Sequence, residues 1–319
     1  MQRKLIVLFL SLMALAIVLI VSRDLLITRP DKRPANPFEF NRVQYKSVDS
    51  TLVHYKETKN FKLKMNEPIG LAFAKEKLFL LADTNLHIIT LEGKELKNIK
   101  LASVPSAITV SNDIIYIAFS NSITTFDVNG ALRGSWKSLD KRTIITSMAI
   151  KGNLLFAADA GNRRVLKYAI NGDFQSSFNG KENKDDPHGF IIPSPYFALA
   201  VNADGELWVV NPGKHTLGQY KDTGELRSFW TKNQDGIEGF YGCCNPAHFA
   251  FLADGSFVTS EKKIARIKIY KPSGELLCVV APTEKFTEDG YAPDVAVSPQ
   301  GDIYALDFDK KIIRLFQHK

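Results

Sequence analysis

The chain has 319 residues, of which 45% are hydrophobic and 24% are charged, a composition typical of a folded globular protein and not of a disordered one. The formal net charge is +7, but residues 1–37 alone hold six basic and two acidic side chains. The remaining excess is spread thinly over a long chain, which excludes a nucleic-acid-binding surface. Three cysteines are too few for a disulfide scaffold, and their odd number leaves at least one thiol or an external partner to explain.

An apolar run near the N-terminus predicts a membrane anchor. Residues 5–21 carry no charge, follow Arg3 and Lys4, and end before Arg23. A helix rises about 1.5 Å per residue, so with Ser22 and its neighbours this run is just long enough to cross a hydrocarbon core of about 30 Å. The run exceeds the apolar region of a cleaved signal peptide, and the residues after it form a poor cleavage site. We therefore expect an uncleaved signal anchor over 5–22, with a cleaved signal peptide as the alternative.

The flanks of this run predict the organisation around the membrane. Positive charges lie on both sides, but a four-residue tail followed by a large domain favours a cytoplasmic tail at 1–4. Residues 23–45 contain three prolines and are predicted to form an extended spacer. We expect a single-pass protein of a bacterial inner membrane, with residues 46–319 on the periplasmic side.

Residues 46–319 repeat one pattern six times. Each unit has a short apolar strand, a tight turn, a second apolar strand, a third strand and, in five units, a glycine turn before a fourth strand. The first strands lie at 71–73, 107–110, 148–150, 199–201, 249–251 and 295–297. The glycines of the later turn are 37, 42, 52 and 50 residues apart, at Gly93, Gly130, Gly172, Gly224 and Gly274. Four short strands per repeat of this length predict an all-β, six-bladed β-propeller.

The two ends of the repeat region predict how the ring closes. The sixth unit ends one strand short, whereas a surplus strand or two lies between the spacer and the first unit. We expect the N-terminal segment to supply the outer strand of the last blade, because this removes an open sheet edge.

The third unit carries a sequence motif. It reads Asp159-Ala-Gly-Asn162-Arg-Arg164, then Val165-Leu-Lys-Tyr168 and a glycine turn, and it resembles the NHL repeat. The resemblance extends in architecture over nearly all of 65–319, although the first, second, fourth and sixth units depart from the polar core of the motif. Asp159 and Asn162 are expected to tie the loop between the second and third strands, and Arg164 to pair with a neighbouring blade. These are structural roles and not catalytic ones.

The loops between second and third strands, and those between blades, are expected to surround the mouth of the central channel. The least generic segment there precedes blade five and resembles uncharacterised membrane-anchored bacterial NHL proteins. The ligand or redox candidates from this region are Tyr241, Cys243, Cys244, Asn245, Glu261, Lys262 and Arg266.

The adjacent cysteines Cys243 and Cys244 admit three interpretations. They are buried small residues, a vicinal disulfide or soft-metal ligands. A vicinal disulfide would be strained, because neighbouring Cα atoms are only about 3.8 Å apart. Cys278 falls in the predicted outer strand of blade five, which makes pairing with either of them less favourable.

Metal chemistry is a further candidate at the same mouth. His188, His215 and His248 all map to loops of blades four and five and are candidate zinc ligands. A calcium site would draw instead on Asn211, Asn245, Glu261 and Asp294. No nucleophile elbow, phosphate loop or helical zinc-protease motif is present.

These features favour a membrane-tethered platform that binds a protein or small-molecule ligand on the loop face of the propeller. The alternative is a zinc- or calcium-dependent hydrolase or lyase with its site near blades four and five. Fold alone does not separate the two, because propellers serve both roles.

Overall fold

The computed structural model describes residues 2–27, 46–181, 188–234 and 236–319. The chain divides into two compact units, Met1–Arg42 and Val43–Lys319. In the first unit, helix α1 (Gln2–Ile27) contains one stretch, Arg3–Arg23, that is long and apolar enough to cross a membrane, a property that signal sequences share. The predicted helix at 5–22 therefore exists. The predicted spacer lies outside the described residues from residue 28 onward.

The second unit contains six four-stranded antiparallel sheets. Its first strand in chain order, β1 (Tyr55–Lys62), belongs to the last sheet. Blade one comprises β2 (Pro68–Ala74), β3 (Lys77–Ala82), β4 (Asn85–Thr90) and β5 (Glu95–Lys100), and blade two comprises β6 (Ala107–Ser111), β7 (Ile114–Phe119), β8 (Ser122–Asp127) and β9 (Leu132–Ser135). Blade three comprises β10 (Ile145–Lys151), β11 (Leu154–Asp159), β12 (Arg164–Ala169) and β13 (Phe174–Phe178), and blade four comprises β14 (Leu199–Val201), β15 (Leu207–Asn211), β16 (Thr216–Tyr220) and β17 (Leu226–Thr231). Blade five comprises β18 (His248–Phe251), β19 (Phe257–Glu261), β20 (Arg266–Tyr270) and β21 (Leu276–Ala281), and blade six comprises β22 (Asp294–Val297), β23 (Ile303–Asp307), β24 (Ile312–His318) and β1. Short 3-10 helices cover Ser50–Leu52, Pro212–Lys214 and Thr283–Lys285.

The six-bladed β-propeller is thus confirmed, and so is the predicted closure. Strand β1 pairs antiparallel with β24, from Tyr55 opposite His318 to Lys62 opposite Ile312. A strand from the N-terminal side of the domain therefore completes the blade formed by its C-terminal end, and β24 is not left as an open edge.

Strand composition explains the layering within each blade. The second strands, such as β11 and β19, are buried along their whole length or nearly so, because neighbouring blades cover both faces of each sheet. Most outermost strands are polar and exposed, as in β5, whereas β21 of blade five is apolar and largely buried. The buried residues form six clusters in the described part of the chain, and each cluster lies between two adjacent blades. Apolar burial between blades therefore holds the ring together.

The repeated glycine of the turn between third and fourth strands is required for two reasons. Gly224 and Gly274 have φ of +90° and +82°, in the left-handed region that L side chains rarely adopt. A Cβ at Gly274 would also lie 2.8 Å from Trp230, and one at Gly224 would lie 2.4 Å from Phe178. These two turns therefore pack directly against an aromatic side chain of the preceding blade.

The polar motif of blade three has the structural role expected of it. Asp159 is fully buried, and its carboxylate accepts hydrogen bonds from Asn162 Nδ2 at 2.8 Å and Arg164 Nε at 2.9 Å. Arg164 Nη2 also donates to Asp140 Oδ2 at 2.7 Å, in the segment that enters from blade two. The pKa of Asp140 is lowered to about 2, with the hydrogen bond from Asn162 as the largest cause. The motif fixes a loop and ties two blades together.

Candidate functional site

The innermost strands of the six blades line a central channel with a cavity of about 860 Å³. This volume lies within the range of about 300–1,000 Å³ found for small-molecule sites. One end of the channel is the mouth, defined here as the end at which the innermost strands begin. The loops between second and third strands and the connections between blades surround it.

Six positions occupy the same level near the mouth, because each pairs with the penultimate residue of the second strand in its blade. We name this set the channel ring, and it consists of Gly70, Ala107, Ser147, Ala198, His248 and Asp294. Four blades contribute glycine, alanine or serine, whereas blades five and six contribute ionisable side chains. The ring is therefore open on one side and polar on the other.

Asp294 ties blade six to blade one. Its Oδ2 accepts a hydrogen bond from the Leu71 backbone N–H at 2.8 Å, and its Oδ1 accepts one from the N–H of Val295 at 2.9 Å. In the described residues, the ionic neighbour that the structure gives this carboxylate is His248, whose Nδ1 lies 3.5 Å from Oδ1. Asp294 keeps 20% of its side-chain surface exposed. Its negative charge therefore stands at the mouth without a lysine or arginine partner there.

His248 presents an unused hydrogen-bonding atom. Burial lowers the pKa of this histidine, and the nearby Asp294 carboxylate opposes that effect. The ring is therefore neutral at neutral pH, and a proton on Nδ1 faces the carboxylate. Nε2 is then an acceptor, and it is buried with no hydrogen-bond partner among the described residues.

Aromatic rings surround these two residues. Tyr196 lies edge-on to His248 with ring centroids 5.6 Å apart, and Phe308 lies at 6.2 Å. Burial raises the pKa of Tyr196 to about 12, so its hydroxyl stays protonated. At the rim, Lys262 Nζ lies 4.9 Å from the Tyr196 ring centroid and donates to Ser194 Oγ at 3.3 Å. The candidate Lys262 is therefore part of the mouth, but it packs outside the ring.

Two other candidates, Glu261 and Arg266, belong to a buried ionic cluster instead. Glu261 Oε1 accepts from Arg266 Nε at 2.8 Å, and Oε2 accepts from Arg266 Nη2 and from the Tyr241 N–H, both at 3.1 Å. Burial alone would raise the pKa of Glu261, but the nearby Arg266 and Lys268 cations bring that pKa below its ordinary value. Both carboxylate oxygens are used within the protein, so Glu261 and Arg266 hold the loop before blade five in place.

Sequence reasoning missed the third member of this cluster, Lys268. Its side chain is fully buried, and Nζ lies 2.9 Å from Glu261 Oε1 and donates to the carbonyls of Ile237 at 2.9 Å and Gly239 at 2.6 Å. Burial lowers the pKa of Lys268 to about 7. The sequence did contain a signal for this role: Lys268 lies on the same face of β20 as Arg266 and Tyr270. The whole strand is buried, so a lysine in it needs a partner within the protein.

Asn245 is also a structural residue. Its amide is fully buried, donates to the Tyr241 carbonyl at 2.6 Å, and accepts from the Lys262 N–H at 3.0 Å. The three cysteines are free thiols, with Cys243 exposed and the other two buried. This agrees with a buried small residue at Cys244 and not with a vicinal disulfide.

The three histidines do not come together. His188 is exposed in the connection into blade four, His215 Nε2 lies 2.5 Å from the Gly242 carbonyl, and His248 lies in the channel ring. Across the residues that the structure describes, no group of three histidine, cysteine or acidic side chains could hold a metal ion. The structure therefore does not bring the three predicted zinc ligands together.

The calcium alternative fails on the same grounds within the described ranges. Asn211 Oδ1 accepts from the Ile191 N–H at 2.9 Å, and its amide donates to the Gly189 carbonyl. Asn245 and Glu261 are occupied as described above. Of the four residues predicted for that site, Asp294 alone lines the channel.

Comparison with known proteins supports the fold class. No family model and no curated protein sequence matches the chain. Among solved structures, virginiamycin B lyase from Staphylococcus aureus is 13% identical with a TM-score of 0.60, over 83% of this chain and 100% of that one. A protein of unknown function from Bacteroides thetaiotaomicron is 13% identical with a TM-score of 0.59, over 82% and 72%. The WD40 propeller domain of Doa1 is 14% identical with a TM-score of 0.56, over 79% of each chain. At such identities the likeness concerns the β-propeller fold alone.

Proposed function

We propose that the protein is a membrane-tethered β-propeller that serves as a binding platform, with its ligand in the mouth of the central channel. The observation that carries this proposal is the 860 Å³ cavity, whose wall holds the partly exposed carboxylate of Asp294 beside His248.

The tether belongs to the same proposal. An uncleaved anchor at 5–22 and a spacer at 23–45 place an NHL-like propeller on the periplasmic side of the inner membrane. The apolar helix and the basic residues around it support this arrangement. A protein ligand would use the loops around the mouth, whereas a small molecule enters the channel, and the size of the cavity favours the small molecule.

A channel-blocking variant tests the proposal. A Cβ at Gly70 would lie 3.8 Å from Asp294 Oδ2 in ordinary contact, so Gly70→Leu fills the ring without backbone strain. Gly134→Leu makes the same change in an outer strand, where a Cβ would lie 3.6 Å from Thr125 Oγ1. A fragment library is screened by thermal shift on the full chain in non-ionic detergent. We expect hits that the control retains and Gly70→Leu loses. Hits unaffected by Gly70→Leu, or no hits, would contradict the proposal.

A second candidate is a lyase at the same mouth. It is favoured by the partly exposed Asp294 carboxylate beside His248, since a carboxylate can remove a proton, and by similarity in fold to virginiamycin B lyase. A solved structure of a catalytically inactive variant of that lyase contains quinupristin, which makes this compound a suitable probe. Loss of intact quinupristin on incubation with the full chain, abolished in His248→Phe, would establish the lyase. We expect the compound to remain intact.

A further inference from the structure

Exposed apolar side chains mark the end of the propeller that holds the channel mouth. In the described part of the propeller, nine large apolar side chains are more than a third exposed. Five of them lie on the outermost strands, one in each of blades one to five. The other four lie in the connections between blades at the mouth, and they are Val104, Ile144, Ile191 and Tyr291. The turns at the opposite end contribute none, so the two ends of the channel differ.

Three of these side chains occupy equivalent positions in the repeat. Val104, Ile144 and Tyr291 each precede a channel-ring residue by three positions, and they are between 42% and 63% exposed. The backbone is fixed at two of them, because the Ile144 N–H donates to Asp159 Oδ1 at 3.0 Å and the Tyr291 N–H donates to Asp309 Oδ2 at 2.9 Å. We name these three residues the apolar rim. The repeat places them at similar heights around the mouth.

Charge also distinguishes the two ends of the channel. We call the connections between blades and the loops between second and third strands the mouth loops, and the turns at the opposite end the far-end turns. The far-end turns carry eleven acidic and four basic side chains. Among the described residues, the mouth loops carry thirteen basic and eight acidic side chains, and residues 182–187 and 235, outside the described ranges, add one basic and four acidic ones. The mouth is therefore weakly positive and the far end strongly negative, which turns the mouth toward an anionic surface.

Cations of the mouth loops are available for such a surface. Five of them are exposed and form no ion pair with another described residue, and they are Lys141, Arg142, Arg163, Lys263 and Lys311. Acidic side chains of the same loops are engaged within the protein. Asp140 pairs with Arg164 at 2.7 Å, and Glu288 pairs with Lys46. The positive charge around the apolar rim is therefore free to attract an external anion.

From these features we infer that the mouth face docks on the surface of an anionic lipid bilayer. The apolar rim would enter the headgroup region, and the surrounding cations would meet lipid phosphates, a combination typical of proteins that bind at a bilayer surface. The rim residues come from three separate connections around a circle and do not form one groove, which fits a flat surface better than a single peptide. The inference goes beyond the proposed function, because it concerns the loops around the channel and not a ligand inside it.

Quenching of a fluorescent label tests which end of the propeller meets the bilayer. The full chain is incorporated into vesicles of phosphatidylcholine, or of a 7:3 mixture with phosphatidylglycerol, that contain a lipid with a nitroxide on its headgroup. Cys243, the exposed thiol, lies in the mouth loops and is labelled with a fluorescent maleimide. The matched label is placed at the other end of the same blade by Ser273→Cys in a Cys243→Ser background. In the anionic vesicles we expect at least two-fold stronger quenching of the label at Cys243, and we expect this difference to disappear in neutral vesicles.

Variants of the rim test its role while helix α1 is kept in every protein. Replacing all three rim residues by serine is expected to abolish the difference between the two labels. The control replaces three apolar residues of the outermost strands, Leu96, Leu132 and Phe174, which are between 46% and 65% exposed, and is expected to leave the difference unchanged.

A charge reversal tests the cations in the same assay. Arg142→Glu, in the connection that carries Ile144, is expected to reduce the difference between the two labels. Lys94→Glu, at an exposed lysine of a far-end turn, is expected to preserve it. Thermal unfolding shows which variants are folded, and Arg142→Glu remains informative if the triple rim variant is not.

The outcomes separate this inference from the proposed function. Equal quenching of the two labels, or stronger quenching at the far end, would overturn the docking of the mouth. A difference that persists in neutral vesicles would overturn the preference for anionic lipid, and one that survives the triple rim variant would overturn the assignment of the rim. Absence of quenching at Cys243 in both kinds of vesicle would assign the rim to an acidic protein partner instead. The fragment screen with Gly70→Leu is carried out in detergent and decides the function of the channel separately.

Discussion

The buried ionic cluster of blade five predicts a large effect from one conservative substitution, Glu261→Gln. The side chains of Glu261, Arg266 and Lys268 are 0%, 1% and 0% exposed, so water does not solvate their charges. Replacing the carboxylate removes the anion from two buried cationic side chains, which then keep backbone carbonyls and, for Lys268, the rings of Phe240 and Tyr270. Breaking a buried ion pair costs about 3–5 kcal/mol. We expect Glu261→Gln to lower the free energy of unfolding by about 4 kcal/mol.

Urea unfolding of the full chain at pH 6 measures this loss, because Lys268, with a pKa of about 7, is protonated in the wild-type protein there. The fluorescence of Trp230 reports on the cluster, since its ring lies 5.3 Å from that of Tyr270. The control is Glu275→Gln in the same blade, where the carboxylate pairs with Lys271 and is 65% exposed; exposed pairs contribute about 0–1 kcal/mol. A loss below about 1 kcal/mol for Glu261→Gln would refute the assignment of this cluster as a buried ionic support.

Three further outcomes follow from the same geometry. Burial lowers the pKa of Lys268 to about 7, so between pH 7 and about 10 the unfolded chain binds more protons than the folded protein. In urea titrations the free energy of unfolding of the wild type should therefore rise, relative to that of Lys268→Met, by up to about 1.4 kcal/mol per pH unit. A difference between the two proteins that stays constant with pH would contradict this prediction. Cys243 is the exposed thiol, so maleimide should label one cysteine in the native protein and three in urea, whereas none and one would reveal a disulfide between the adjacent pair. Arg314 forms buried ion pairs with Asp307 and with Glu57 of the closing strand β1, so Arg314→Met should lower the free energy of unfolding in urea by about 2–4 kcal/mol. Arg133 is 59% exposed, so Arg133→Met should lower it by less than about 1 kcal/mol. Equal losses for the two variants would contradict a special role for the closure.

The fold was predictable because its determinants are local and repeated. A turn glycine such as Gly274 lies at the same point in successive blades. The surplus segment around Tyr55 was expected to pair with the last blade, because that blade would otherwise lack its outer strand. The polar motif around Asp159 was also assigned correctly as structural, because its residues lie within one loop and the segment that enters from the neighbouring blade.

The site was harder to predict because it depends on register across different blades. His248 and Asp294 were both named from the sequence, but for separate hypothetical metal sites; nothing local shows that they occupy equivalent positions in adjacent innermost strands. Glu261 and Arg266 were mistaken for ligand contacts because a loop location does not reveal that both side chains point into the interface between blades. The residue types therefore identified positions that matter for the structure, but they did not show whether each side chain binds a ligand or supports the fold.

The ionic cluster and the channel ring are parts of one arrangement. Ser260 pairs with His248, and the next residue along β19 is Glu261, which faces the cluster because successive side chains of a strand point to opposite sides. The cluster also holds the connection that ends at β18, through the Tyr241 N–H and the carbonyls bound by Lys268. Both strands that position His248 are thus fixed by buried charges a few residues away. Because a ligand gains most from a site that needs no reorganisation on binding, this costly buried cluster is best explained as support for a preorganised channel mouth.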